Sequence, residues 1–376
     1  MTTIACVEDL RQLYLQRVPR IFTDYAESGS YTETTMARNT ANMLDTKIRQ
    51  RVGIDVSNIT TATTIMGEAA NLPVTFAPVG MLGIQHPAGE IKVAQAAERF
   101  GVPFILSTMS LCSIEQVAAA TSKPFWFQLY VVKDRAYVRN LIQRAKAAGC
   151  SKLVVTMDLA MLGQRHRDVK NGLSTRPGLR HAFDIASKPR WALGMARTPY
   201  KTFGNVIGHA KGVEDLDSLL VWAAEMVDPS LDWHDIEWIR KEWGGPMVVK
   251  GLLDAEDARI AANLGIEAAI VSNHGGRQLD GADSTINALP RIADAIGNDM
   301  ELLLDSGIRT GMDIFRANAQ GASGVLLGRA MVYALGAMGE AGVDVLLQIL
   351  QKEYRTTMGL AGVTKPDAIT KQHICA

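Results

Sequence analysis

Short apolar runs alternate with amphipathic helical segments between residues 74 and 330, and this alternation restricts the fold more than any other feature. Because the runs are apolar at nearly every position, both faces of each strand should be covered, as in a parallel sheet. Eight such units favour a closed (βα)8 barrel of the α/β class, a TIM barrel, over an open sheet. The predicted strands are Val74–Ala77, Phe104–Leu106, Trp126–Leu129, Leu153–Thr156, Met247–Val249, Ala269–Val271, Leu302–Leu304 and Val325–Leu327.

Helix signals stand between these strands. Ser113 and Gln116 have the spacing of a capping box, in which each side chain satisfies a free backbone N–H of the first turn. Asp134 should open a helix that ends near Gly149, because aspartate accepts from the first N–H groups and glycine adopts the left-handed conformation after a last turn.

Three segments are added to the barrel, and we expect them to belong to one domain over residues 1–376. Residues 1–70 are predicted to form an N-terminal helical cap over one mouth of a barrel that spans residues 71–335. Residues 336–376 should form a C-terminal helical tail. Residues 163–245 form a long insertion, or lid, between the fourth and fifth strands.

The first part of the insertion is strongly basic. Residues 163–212 carry ten lysines and arginines against two aspartates, Asp168 and Asp184. Two interpretations are open: a solvated loop, or a lid that touches an anionic membrane surface. The basic residues are Arg165, Arg167, Lys170, Arg176, Arg180, Lys188, Arg190, Arg197, Lys201 and Lys211.

Composition excludes several other classes of protein. Lysine plus arginine and aspartate plus glutamate number 39 each, so the whole chain has no charge bias toward nucleic acid. The sequence has neither a P-loop nor the H-E-x-x-H or G-x-S-x-G motifs of zinc proteases and serine esterases. It has no secretory leader and no apolar stretch of membrane-spanning length, so we expect a cytoplasmic protein. Four scattered cysteines suggest neither a disulfide framework nor a metal site: Cys6, Cys112, Cys150 and Cys375.

Polar residues recur where the predicted strands end, which is where a barrel of this kind carries its chemistry. After one strand, His274 and Arg277 are separated by two glycines and pair a titratable base with a fixed anion clamp. An isolated His-Gly-Gly-Arg could equally be a strand-ending turn with a surface ion pair. The recurrence of polar residues at the other strand ends favours a functional site.

Several of these segments together resemble one enzyme family. They are Ser272–Gly281 (SNHGGRQLDG), Gln128–Tyr130, Lys250–Gly251 and Asp305–Arg309 (DSGIR). The combination is similar to the FMN-dependent L-2-hydroxy acid oxidase/dehydrogenase family, and the resemblance covers nearly the whole chain. Its closest likeness within that family is to the bacterial respiratory L-lactate dehydrogenases, through Ala77–Gly80, Leu106–Thr108 with Cys112, and Gly245–Gly251.

The resemblance assigns roles around the reacting carbon. Oxidation of a 2-hydroxy acid removes the hydroxyl proton and the Cα hydrogen while the carboxylate is held still, and His274 suits the base. Asp158 is the partner expected to orient His274. Arg277 should bind the substrate carboxylate, and Tyr130 should hydrogen-bond the reacting oxygen. Further substrate contacts are expected from Tyr25, Arg165 and Met109, with Met81 and Leu162 nearby.

The resemblance also implies FMN as cofactor and no metal. A barrel of this class commonly holds phosphate at the loops after its last two strands, where Gly307, Arg309, Gly328 and Arg329 stand. Asp305 would meet the ribityl hydroxyls, and Lys250 would lie near N1 and the C2 oxygen of the flavin ring, where its charge would stabilise the anionic reduced flavin. The remaining ring contacts would be Pro78, Val79, Gly80, Ser107, Gln128, Thr156 and Ser272.

The function expected from the resemblance is oxidation of an L-2-hydroxy acid, L-lactate first, with electrons passed to a quinone or other respiratory acceptor. It also implies a homotetramer and peripheral attachment to the cytoplasmic face of the inner membrane. The alternative within the family is a soluble oxidase of glycolate, lactate or mandelate that produces hydrogen peroxide. A non-catalytic FMN-binding barrel is a further alternative, but a silent binder has no chemical need for a base, its orienting acid and a clamp together.

Overall fold

Eight parallel strands form the centre of the molecule. The structure is a computed structural model and describes residues 3–172, 179–214, 218, 222 and 226–375. The strands are β3 (Val74–Phe76), β4 (Ile105–Ser107), β5 (Trp126–Tyr130), β6 (Lys152–Thr156), β7 (Met247–Leu252), β8 (Ala268–Val271), β9 (Glu301–Leu304) and β10 (Gly324–Leu327). Neighbouring strands pair in the order β3-β10-β9-β8-β7-β6-β5-β4, and a parallel bridge between Phe76 and Phe104 joins β3 to β4.

This arrangement confirms the predicted (βα)8 barrel, and each of the eight predicted strands is present. The largest difference is at β7, which continues to Leu252 because its pairing with β8 shifts between Lys250 and Leu252. The irregularity centres on Gly251, whose φ of +109° lies outside the range that other residues adopt readily.

Helices precede, separate and follow the strands. The predicted capping box of Ser113 and Gln116 is present, and the Asp134 side chain accepts from the N–H groups of Ala136 and Tyr137. The helices described are α1 (Val7–Arg17), α2 (Arg20–Glu27), α3 (Thr34–Asp45), α4 (Leu82–Gln85), α5 (Gly89–Phe100), α6 (Ile114–Ala120), α7 (Arg135–Ala147), α8 (His166–Lys170), α9 (Leu179–Ala186), α10 (Pro189–Arg197), α11 (Trp233–Trp243), α12 (Ala255–Asn263), α13 (Thr285–Ile296), α14 (Gly311–Ala319), α15 (Arg329–Met338) and α16 (Glu340–Ala361). None of them combines the length and apolar character needed to cross a bilayer.

A hairpin that the sequence did not predict closes the amino-terminal mouth of the barrel. Its strands, β1 (Thr63–Ile65) and β2 (Glu68–Ala70), pair antiparallel. Ile65 is fully buried and joins the inner core of the barrel, which includes Trp126 at the start of β5. Glu68 accepts a hydrogen bond from Trp126 Nε1 at 3.1 Å and pairs with Lys152 at the start of β6. With this end closed, the carboxyl ends of the strands form the accessible mouth.

Candidate active site

The turn after β8 holds His274 in a strained conformation. Its φ is +56°, and the next two residues, both glycines, are also left-handed. Such a conformation costs a non-glycine residue about 1–2 kcal/mol. Hydrogen bonds hold the turn in place: Ser272 Oγ accepts from His274 N at 3.1 Å, and Ser306 Oγ accepts from Gly275 N at 3.0 Å. Strain held in this way is typical of a functional residue.

His274 and Asp158 form the predicted pair. The Nδ1 atom of His274 lies 2.9 Å from Asp158 Oδ1, which fixes the imidazole and leaves Nε2 available to a ligand. Burial raises the pKa of Asp158, but the neighbouring His274 and Lys250 together lower it by more. The net pKa is therefore below its ordinary value of 3.8. Asp158 is therefore a carboxylate at neutral pH. Its Oδ2 atom is buried and has no hydrogen-bond partner within the described ranges.

Gly251 gives Asp158 the space that it occupies. A Cβ atom on Gly251 would lie 2.7 Å from both Cβ and Cγ of Asp158, closer than real Cβ contacts come. The bulge in β7 thus brings backbone against the carboxylate where no side chain could fit. This requirement explains why a glycine follows Lys250 at the end of the strand.

Two guanidinium groups lie over the ring of Tyr25. Arg277 lies 4.8 Å from the centre of the Tyr25 ring and Arg165 lies 5.7 Å from it, both within cation–π range. Burial lowers the pKa of Arg277, and the nearby Arg165 charge lowers it further. Two cations that repel each other in a partly buried site favour the binding of an anion.

Tyr130 lies at the end of β5, close to the same groups. Burial raises the pKa of its phenol well above the ordinary value of 10.0, as do the charges of Asp158 and Tyr25, while Arg277 and Arg165 act in the opposite direction. Tyr130 therefore keeps its proton at neutral pH and can donate a hydrogen bond.

Lys250 is buried at the end of β7 between two acceptors. Its Nζ atom lies 2.8 Å from Asp305 Oδ2 and donates to Ser272 Oγ, also at 2.8 Å. Burial lowers the pKa of Lys250, but Asp305 and Asp158 raise it to a net value above 10.5. The lysine is therefore a fixed positive charge in the mouth of the barrel.

A row of buried polar side chains lines the neighbouring strand ends. Gln128 connects them: its Nε2 donates to Thr156 Oγ1 at 2.9 Å, and its Oε1 accepts from Ser107 Oγ at 3.1 Å. Backbone of the loop after β3 lies against the loop after β4, since Met81 N donates to Met109 O at 2.9 Å and Gly80 packs against Met109. The site thus has a polar wall, and the two loops that carry Met81 and Met109 lie side by side at the ends of β3 and β4.

Arg309 and Arg329 lie at the ends of the last two strands, with Gly307 and Gly328 beside them. Arg329 donates to backbone carbonyls of Ala26, Ser28 and Gly275, and Arg309 stacks on an aromatic ring 5.6 Å away. Neither has a carboxylate at ion-pair distance within the described ranges. Burial and the nearby Arg277 lower the pKa of Arg329 to about 10.

These uncompensated cations adjoin the N-terminus of α15, whose free N–H groups also favour an anion.

The predicted pocket residues Pro78 and Val79 follow β3 in the same mouth and are half-buried. Leu162 is 49% exposed and lines a cavity of about 420 Å³ together with Asp158, Gly251 and Ser272. The walls of this cavity do not include Met81 or Met109.

Several residues that hold the site together were not predicted from the sequence. Gln278 donates to the backbone oxygens of Asp158 and Met161, which ties the loop after β6 to the His274 turn. Asn39 of α3 and Asn273 exchange amide hydrogen bonds of 2.9 and 2.7 Å. The only available signal was the position of Asn273 and Gln278 within the SNHGGRQLDG segment.

A (βα)8 barrel whose accessible mouth carries a base with its carboxylate, an anion clamp and a second cationic site defines an enzyme that binds an anionic substrate and a phosphorylated cofactor. Residues 15–376 match the model of the FMN-dependent dehydrogenases, and the chain belongs to this family.

Relatives agree over almost the full length. The L-lactate dehydrogenase of Actinobacillus pleuropneumoniae serotype 5b (strain L20) is 47% identical over 371 residues, which cover 98% of this chain and 97% of the relative. The L-lactate dehydrogenase of Caulobacter vibrioides (strain NA1000 / CB15N) is 47% identical over 96% of this chain and 94% of its own.

Two solved structures show the same architecture. The monotopic membrane protein (S)-mandelate dehydrogenase superposes with a TM-score of 0.95 at 33% identity, over 100% of both chains. Mandelate oxidase with (S)-4-hydroxymandelic acid gives a TM-score of 0.86 at 34% identity, over 99% of this chain and 98% of the other.

FMN is the cofactor of this family, and the residues of the mouth fit it. Cations without carboxylate partners suit its phosphate, as expected for the loops after the last two strands. Buried amide, hydroxyl and ammonium groups on the neighbouring strands suit the polar edge of a flat ring.

Proposed function

We propose that this enzyme oxidises an L-2-hydroxy acid, with L-lactate as the first candidate, to the 2-keto acid and passes the electrons to a quinone or another respiratory acceptor. The observation that carries the proposal is the His274–Asp158 pair beside the two guanidiniums on Tyr25. The L-lactate dehydrogenases at 47% identity support lactate as the substrate.

Substrate binding uses the clamp. Arg277 and Arg165 hold the carboxylate, with the Tyr25 hydroxyl as a further donor, and the adaptable Met109 receives the substrate's side chain. Tyr130, which keeps its proton, donates to the oxygen on the reacting carbon. Together these contacts orient the 2-hydroxyl group toward His274.

His274 acts as the base. Its Nε2 atom takes a proton that the oxidation releases, and the ionised Asp158 stabilises the imidazolium that results. FMN, when bound, supplies the two-electron acceptor that no side chain of this protein can replace. Lys250 holds a fixed positive charge beside the ring's position, and Arg309 and Arg329 with Gly307 and Gly328 hold the phosphate.

The other proposed cofactor contacts follow from the same placement. Asp305 would bind the ribityl chain while it pairs with Lys250. The ring would be surrounded by Pro78, Val79, Gly80, Ser107, Gln128, Thr156 and Ser272.

The activity has a direct test. L-lactate added without oxygen should bleach the flavin absorbance of the purified enzyme, and comparison with glycolate and mandelate defines the substrate range. His274→Gln should keep FMN but slow this reduction by about 10²- to 10⁴-fold, the contribution of a positioned base. Arg277→Lys should raise KM and lower kcat, because an ammonium cannot make two parallel bonds to a carboxylate. Full activity of the His274 variant would remove this residue from the mechanism.

Peripheral membrane attachment belongs to the same proposal. Phe183 of α9 and Leu193 of α10 are 77% and 52% exposed, among the basic residues of the insertion. Arg176, one of those basic residues, lies outside the described ranges. Support comes from the match to a monotopic membrane protein. Each basic residue near an anionic surface contributes at most about 1 kcal/mol, and salt screens it.

Binding to vesicles that contain anionic lipid should therefore weaken as salt rises. It should also weaken when Arg190, Arg197 and Lys201 are neutralised together.

A soluble oxidase is the second candidate, favoured by the mandelate oxidase match. Fast hydrogen peroxide production in air, with no vesicle binding at any salt concentration, would establish it. Faster reoxidation by quinone analogues than by oxygen would exclude it. Sedimentation of the purified protein tests the proposed homotetramer.

A further inference from the structure

Asp168 of α8 lies behind the substrate clamp and has no role in the proposal so far. Its Oδ2 atom lies 2.8 Å from Nε of Arg165, the arginine that shares Tyr25 with Arg277. Oδ2 is buried and makes no hydrogen bond within the described ranges, so the Arg165 charge is its partner. Its other oxygen accepts from Ser28 Oγ at 2.8 Å.

Ser28 joins this carboxylate to the second arginine of the clamp. The residue is fully buried after the end of α2, and its backbone oxygen accepts from Arg277 Nη1 at 2.7 Å. Its hydroxyl, which donates to Asp168, also lies 3.3 Å from the same Nη1 atom. Asp168, Ser28 and the two guanidiniums thus form one continuous network.

The contact on Arg165 is made at Nε, the inner nitrogen of the guanidinium. An ion pair at this atom restrains the guanidinium through charge and leaves the outer Nη1 and Nη2 atoms for another anion. Without it, the arginine regains rotamer freedom that a bound substrate must remove again, which can weaken binding up to about thirtyfold.

We propose that Asp168 is a positioning residue, which aims the outer nitrogens of Arg165 at the substrate carboxylate and, through Ser28, couples Arg165 to Arg277. The inference rests on the proposed function, in which both arginines bind that carboxylate. It predicts whether substitution of Asp168 weakens or tightens substrate binding. The charge of Asp168 alone repels an anion, so its loss through space would tighten substrate binding, whereas loss of positioning weakens it.

The test uses the FMN-loaded enzyme and two substitutions, Asp168→Asn, which keeps shape, and Asp168→Ala. Both should raise KM for L-lactate about tenfold or more and change kcat less than threefold, with unchanged FMN content. Oxalate has a carboxylate but no hydrogen to remove, and its Kd, followed through flavin absorbance, should rise by the same factor. In an Arg165→Ala background, the two substitutions should change neither constant by more than twofold.

Arg167→Gln is the matched control. Arg167 pairs with Glu33 and fastens the same short helix without contacting Arg165. KM should stay unchanged in this variant; an increase equal to that of Asp168→Ala would show general loosening of α8 and overturn the inference. Tighter oxalate binding, or effects of Asp168 and Arg165 that simply add, would overturn it too. If Arg165→Ala alone leaves KM unchanged, the proposed substrate clamp fails first and the inference falls with it.

Discussion

Replacement of Asp158 by asparagine isolates the charge of the carboxylate from its shape. Asparagine is nearly isosteric and can still hydrogen-bond His274, but it cannot balance the charge of an imidazolium. We expect Asp158→Asn to fold and to bind FMN, because Lys250 still pairs with Asp305. The substitution should instead slow the transfer of the proton to His274.

The contact distance sets the magnitude. A hydrogen bond of 2.9 Å that gains a full charge on each side contributes about 1.5–3 kcal/mol, or roughly 10- to 150-fold in rate. The wild-type carboxylate cannot itself titrate in the neutral range, since its pKa lies below 3.8. The interaction is therefore present in the wild type throughout the neutral range, and its loss should slow flavin reduction in the variant by roughly that factor.

Stopped-flow absorbance of the flavin, recorded with L-lactate in the absence of oxygen, measures this directly. The reduction rate should fall by about 10- to 150-fold at neutral pH, because the variant stabilises the protonated base less and orients it less firmly. Asp280→Asn is the matched control: Asp280 belongs to the same SNHGGRQLDG segment but accepts hydrogen bonds from Thr32 and Thr35 instead. An unchanged reduction rate in Asp158→Asn would refute the role of the pair.

Two further substitutions test the packing of the mouth. Gly251→Ala should lower the free energy of unfolding by about 1–3 kcal/mol and slow flavin reduction, because the new Cβ would displace Asp158. Gly149→Ala is the control, since Gly149 has a φ of +76° but open space around it. Comparison of the two variants in thermal melts and stopped-flow assays separates backbone strain from steric collision. Lys250→Met should lower the free energy of unfolding, measured by chemical denaturation, by about 3–5 kcal/mol, because it leaves the buried carboxylate of Asp305 unpaired. The double variant with Asp305→Asn should recover most of this loss of stability. Failure of that recovery would mean that Lys250 acts mainly through packing.

The barrel could be predicted because its information is local. Each strand is an apolar run whose ends are marked by polar residues or glycine, so the position of His274 or Lys250 at a strand end follows from the run before it. Closure of the sheet then places all the strand ends at one mouth. That step requires the number of strands but no side-chain detail.

What the sequence could not supply are the contacts between distant segments. The β1–β2 hairpin has strands of only three residues, too short for a period of two to be recognised. Asp168 and Ser28 are 140 residues apart, and the charge of Asp168 counted only as one of two acids in a basic insertion. Neither Asp168 nor Ser28 lies in a local sequence pattern that predicts its partner.

The N-terminal helix α2 shows why such contacts decide the chemistry. Arg277 and Arg329 are held largely by backbone oxygens at its carboxyl end: those of Tyr25 and Ser28 for the first, and those of Ala26 and Ser28 for the second. A helix carboxyl end stabilises a cation through its partial negative charge, yet it does not neutralise the cation as a carboxylate would. Both guanidiniums therefore keep their full charge for an anionic ligand. A segment outside the barrel repeat thus helps to keep the mouth cationic. The strand ends predict the arginines themselves but not the backbone oxygens of α2 that hold them.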